Sequence, residues 1–117
     1  MAQTISSFVS DVRYGVSDTR APYRYSDDRI LSVLNQGLRE LARLRPDAFI
    51  DTFDVDDIVV PEYTSADLLE PLPFGYLFTT PLLDFVVGMI ELADDEFTVD
   101  GRAITLRQKF TSSVVGV

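Results

Sequence analysis

The side chains able to do chemistry in this chain are almost all carboxylates. Its 117 residues carry 19 Asp and Glu against 10 Lys and Arg, with neither cysteine nor histidine. Thiolate nucleophiles, disulfides, imidazole bases and the common zinc sites fall away together. Two acidic clusters remain as candidates for a hard cation. Asp51, Asp54, Asp56 and Asp57 invite comparison with a calcium loop, yet the sixth-position glycine and the closing bidentate Glu are missing. Asp94, Asp95, Glu96 and Asp100 fail the same comparison, so both clusters read as solvated carboxylates. Lys109, the single lysine, falls on a polar helix face and not in the desolvated pocket that an amine nucleophile needs. There is no glycine-rich phosphate loop. The residues therefore argue against an enzyme and call for neither metal nor cofactor.

The placement of charge says more than its total. Between Arg45 and Arg102 there is no basic residue, while fourteen carboxylates fall in that interval. All ten basic residues lie on the flanks. A segment of one sign repels phosphates and attracts cationic surfaces. Binding DNA through its backbone needs clustered Lys and Arg, so it is not expected. The same carboxylates also serve solubility. No run of ~18 apolar residues offers a membrane span. The N-terminal Met-Ala-Gln-Thr-Ile-Ser-Ser lacks the basic and apolar regions of a signal peptide, which gives a soluble cytosolic protein as the expectation.

Four helices are expected to carry these residues, in a single domain spanning 1–117. The first, near 4–16, is a capped amphipathic helix with Ile5, Phe8, Val9, Val12 and Val16 on one stripe. Asp18 to Tyr25 reads as a loop broken by Pro22, and its Arg20 and Arg24 are free to meet the acidic segment of this chain or a neighbour. The second helix, near 27–45, is the clearest element. Ser26 caps it and Asp27 and Asp28 complement its positive pole. Ile30, Leu31, Val33, Leu34, Gly37, Leu38 and Leu41 fall on its apolar half, with Ser32, Asn35, Gln36, Arg39, Glu40 and Arg43 opposite. Gly37, mid-helix on the apolar face, marks a place where another helix approaches closely. Pro46 ends the helix.

An arm over 49–80 follows, extended or a β-hairpin. Phe53 and Val55 alternate with Asp54 and Asp56 in a half-buried strand over 49–60. Pro61, Pro71, Pro73 and Gly75 then favour an extended path. Connections beyond ~12–15 residues in compact domains are usually functional. This one is apolar as well as acidic, with Leu68, Leu69, Phe74 and Tyr76, and it needs a partner to cover it. The third helix, near 81–94, opens on Thr80 as N-cap and Pro81 at the first helical position. Only Asp84, Gly88 and Glu91 make it polar, and an apolar arc that wide, with Leu83 and Val87 in it, asks for cover from another subunit. The fourth helix, near 98–114, stripes Val99, Ala103, Leu106, Phe110 and Val114, turns Arg102 and Lys109 away, and frays after Ser112. The fold class expected is mainly α: a small bundle of about four helices with a long arm between the second and third.

The order of these pieces resembles tailed-bacteriophage head–tail connector (adaptor) proteins. The run Tyr25-Ser26-Asp27-Asp28, Ile30-Leu31, Leu34-Asn35-Gln36-Gly37, Arg39-Glu40 and Leu44-Arg45-Pro46-Asp47-Ala48 is similar to that family's opening helix. Pro81-Leu82-Leu83-Asp84-Phe85-Val86, then Asp94-Asp95-Glu96, Arg102-Ala103 and Phe110, is similar to its later helices. Where the family often has Tyr and Arg, this chain has Val87, Gly88 and Met89. The resemblance implies a structural virion protein in the phage neck, made in the host cytoplasm. It implies a homo-oligomeric ring, commonly twelve-membered, between the portal and the tail or a head-closure protein. DNA would pass through the lumen only as transiting cargo, with no membrane involved. In such a ring the basic flank of one copy meets the acidic segment of the next. The interface is then expected to draw on Arg20, Arg24, Arg102 and Lys109, on Asp54, Asp56 and Asp57, and on Leu68, Leu69, Phe74, Tyr76, Leu83 and Val87. Two rival classes stay open: a small acidic module that mimics nucleic acid or inhibits a DNA-binding protein, and an enzyme using carboxylates and a metal.

Overall fold

The computed structural model describes residues 3–46, 49, 53–54, 57–58, 60–93 and 100–115. Four helices form a small bundle: α1 (Ile5–Gly15), α2 (Asp27–Leu44), α3 (Tyr76–Ala93) and α4 (Asp100–Val115). Between α2 and α3 lie two two-residue strands, β1 (Phe53–Asp54) and β2 (Asp57–Ile58), and a short 3₁₀ turn at Ser65–Asp67.

Thr4 opens α1 as its N-cap, accepting a hydrogen bond from the Ser7 N–H at 3.2 Å. Ile5, Phe8, Val9 and Val12 then point into the core. At its far end the N–H of Asp18 reaches back to the Arg13 carbonyl at 2.8 Å, and that of Ser17 to the Tyr14 carbonyl. This is a Schellman closure. Its left-handed position, usually a glycine, is held by Ser17 at φ 57°. Ser26 caps α2 through the Arg29 N–H at 3.1 Å, with Asp27 and Asp28 in the first turn as the sequence indicates.

α3 is the central helix, packed against α4, α2 and α1. Phe78, Leu82, Phe85, Val86, Val87 and Ile90 are all buried in one continuous cluster with the stripes of the other helices. That corrects the expectation that its wide apolar arc needs a second subunit: three helices of the same chain supply the cover. Gly37 stands at the α2–α3 crossing, where an added Cβ would come within 2.6 Å of Leu82 Cδ1 and 3.0 Å of Phe85 Cδ1. The close approach read from its position is there. Gly15 makes a second one, since a Cβ there would meet Val87 Cγ2 at 2.8 Å.

α3 also begins five residues before the expected start at Pro81, which sits inside it. A proline there deprives the Leu77 carbonyl of its helical partner. Packing outweighs that loss. Phe78 is buried against Phe74, ring centroids 6.0 Å apart, and under the Arg45 guanidinium. The Thr79 hydroxyl and the Phe78 N–H both donate to the Gly75 carbonyl, which holds the extra turn in register.

The arm keeps to the expected hairpin in one part and departs from expectation in another. The strand expected over 49–60 is a narrow antiparallel hairpin where it is described, Phe53 opposite Ile58 and Asp54 opposite Asp57. Residues 60–75 do not stand away from the bundle. The first N–H groups of α1, which have no partner inside their own helix, donate to arm carbonyls: Ile5 to Glu70 at 2.9 Å and Ser6 to Leu68 at 2.8 Å. Leu72 donates to the Gln3 carbonyl, Thr4 bridges Pro71, and Leu72 and Phe74 are buried. At the other end, α4 runs on past Ser112 to Val115; Val114 is buried and its carbonyl accepts from Arg45 at 3.1 Å.

Candidate functional site

A buried polar cluster among the described residues is one that sequence patterning missed. Arg13 lies on the buried side of α1, only 8% exposed, in the last turn of the helix. Its guanidinium meets the Asp18 carboxylate at 3.0 Å, the Asp27 carboxylate at 2.6 Å and the Tyr25 carbonyl at 2.8 Å. The Tyr23 ring lies over it at 3.9 Å. Asp18 in turn accepts from the N–H groups of Arg24 at 2.8 Å and Tyr25 at 3.0 Å. Burial works to raise the Asp18 carboxyl, but those two N–H groups and the charges of Arg13 and Arg24 outweigh it and hold the group below the ordinary carboxylate value. The cluster fastens the α1–α2 loop to both helices. Its only sequence signal was an arginine at the edge of the apolar stripe of a short helix, between Asp11 and Asp18.

A second clamp joins α2 to the arm. Asn35, expected on the solvent half of α2, is buried. Its amide donates to the Tyr63 carbonyl and accepts from the Tyr63 N–H, both at 2.9 Å, so it pairs like an added strand. The Tyr63 hydroxyl donates to the Pro71 carbonyl at 3.1 Å. Its pKa is pushed up to about 12 by burial and by the nearby Asp67 and Glu70 carboxylates.

The residues expected at an interface divide sharply. Val87 is 5% exposed, under Gly15, and Phe74 is buried edge-on to Phe49 at 5.6 Å; both belong to the core of this chain and are corrected here. Leu68 and Leu83 are half-buried against the same core. Lys109 is exposed, but its Nζ lies 3.6 Å from Asp84, joining α4 to the polar strip of α3. Arg24 spends its guanidinium within the loop, on the Tyr25 hydroxyl and ring and on the Val16 carbonyl. Arg20 is exposed, and among the described residues no ion pair includes it. Leu69 is 89% exposed. Asp54 and Asp57 sit opposite each other in the hairpin, Tyr76 opens α3 and Arg102 lies in α4. The side chains of these four, and Asp56 as a whole, lie outside the described residues, as do Asp94, Asp95 and Glu96.

Two of the grooves among the described residues lie beside the helices that carry the candidate residues. One, of about 600 Å³, lies between the end of α3 and α4 and is lined by Leu92, Arg107, Gln108, Thr111 and Ser112. The other, of about 230 Å³, runs between α2 and the arm past Asp28, Asn35, Arg39 and Glu62. Neither gathers a nucleophile with a base. Among the described residues no acidic group has the composition of a metal site, and no helix is long and apolar enough to cross a membrane. No family model, curated protein or solved structure matches the chain.

Proposed function

We propose that this chain is a structural adaptor of the tailed-phage neck, assembling as a ring between the portal and the tail or a head-closure protein, without catalysis of its own. One observation carries the reading: the residues that bear the resemblance are the joints of the bundle. The Tyr25 carbonyl and Asp27 receive Arg13, Asn35 holds the arm, Gly37 admits α3, and Arg45 reaches the end of α4. A motif spent on joints defines a frame, and function then rests with the surfaces that the frame presents. The chain is strongly acidic between Arg45 and Arg102 and net basic on the flanks, which favours ordered association over catalysis. Imaging the purified protein by negative stain, alone and with its portal, tests this. Rings or portal-bound densities are expected; a chain that binds no portal overturns the reading.

A further inference from the structure

The two ends of α1 present opposite surfaces. At its N-terminal end the 65–70 turn is fastened by the Ile5 and Ser6 N–H bonds, and it exposes Leu69 beside the Glu70 carboxylate. Glu62, exposed, and Asp67, half-exposed, lie on the same stretch of arm. The C-terminal end carries the 17–26 loop, which exposes Arg20, with Tyr23 51% and the neighbouring Tyr14 81% exposed. The one acid of this loop, Asp18, is already committed to Arg13, as is Asp27 at the start of α2. Eleven helical residues separate the two ends, about 16 Å at the rise of an α-helix.

We infer that these ends are complementary docking surfaces, the loop bearing Arg20 and Tyr23 on one copy of the chain seating on the Leu69–Glu70 turn of the next. Charge chooses the occupant: the arginine end meets carboxylates, and the nearest matching surface of the right sign is the opposite end of another copy. Chemistry supports an anchor at each side. Tyrosine and arginine dominate the few residues that carry binding energy at interfaces. Tyr23 is already held against Arg13, so little freedom is lost when it docks. Leu69 is a large apolar side chain left in water next to Glu70. Because the two surfaces differ, the contact is heterologous and propagates from copy to copy, as a ring or filament requires. The inference deepens the adaptor reading by naming the surfaces through which its copies meet.

Sedimentation of the full chain over a concentration series, at low and high salt, tests it. Wild type is expected to grow beyond a dimer, less so at high salt. Arg20→Glu and Leu69→Ser, both at exposed positions that leave the fold intact by circular dichroism, are each expected to weaken association by about tenfold or more. An equimolar mixture of the two variants stops at a dimer, because one supplies an intact turn and the other an intact loop. Association untouched by either substitution overturns the inference, as does a mixture no better associated than its parts or a wild type monomeric throughout. The adaptor reading is decided separately, by binding to the portal.

Discussion

At the scale of single residues the decisive group is Arg13, a charge inside a small core that is tolerated because every direction it faces holds an acceptor or a ring. Removing one member of a buried ion pair leaves the other uncompensated, typically at about 3–5 kcal/mol. Arg13→Met is therefore expected to cost about 3 kcal/mol in urea unfolding, well above a surface substitution. The sign of the pH dependence follows from Asp18. Its folded pKa is depressed, so the unfolded chain takes up the proton first as pH falls. The stability it contributes is whole above the ordinary aspartate value of ~3.9 and is lost as pH drops through the lower folded value. Urea midpoints of wild type and Asp18→Asn, compared from neutral pH down to about pH 3, should converge in acid. A gap that stays constant across that range removes Asp18 from the account. By contrast the Glu40–Arg43 pair on α2 is solvent-exposed, and although Arg43 draws the Glu40 carboxyl down, such pairs contribute little.

At the scale of elements, what a periodic pattern encodes was legible and what depends on a distant strand of chain was not. α2 was readable to within a residue at each end, because its cap, its first-turn acids, its apolar half and Pro46 all agree. Gly37 was readable for the same reason, a costly residue at the centre of a buried face. The start of α3 was not: local rules put Pro81 at the first position, and the burial of Phe78 against Phe74 and Arg45 overrode them. Asn35 was misplaced because a polar residue on a helix looks solvent-facing until the backbone that it pairs with is known. The same gap misassigned Phe74 and Val87 to an interface, since burial by one's own chain and by a partner leave the same apolar signature in sequence. Asn35→Ala tests the clamp directly. It strands the N–H and carbonyl of Tyr63, at a cost of about 2 kcal/mol, and it should speed amide exchange over residues 60–72 while the α2 and α3 amides at the Gly37 crossing stay protected. Equal acceleration everywhere would mean that the arm and the bundle open as one unit.

For the whole molecule, the question is whether folding and assembly are one event or two. The width of α3's apolar arc argued for one event, with copies completing each other's cores. The described residues favour two: α1, α2 and α4 close over α3, Leu72 and Phe74 of the arm enter the same cluster, and the large apolar side chains left exposed among them are single ones such as Tyr14, Leu69 and Leu77. Scattered apolar residues of that kind are ordinary on a protein surface and do not hold a fold hostage to a partner. A chain that folds first and assembles afterwards has a melting temperature that does not depend on its own concentration, whereas an obligate oligomer melts higher as concentration rises. Arg20→Glu is the right background for the measurement, because it is expected to weaken association and alters an exposed side chain. Its melting temperature is expected to stay constant across a wide concentration range, and its unfolding to be a single cooperative transition. A melting temperature that climbs with concentration in that variant would return the core to the assembly, as in chains that fold only on meeting one another.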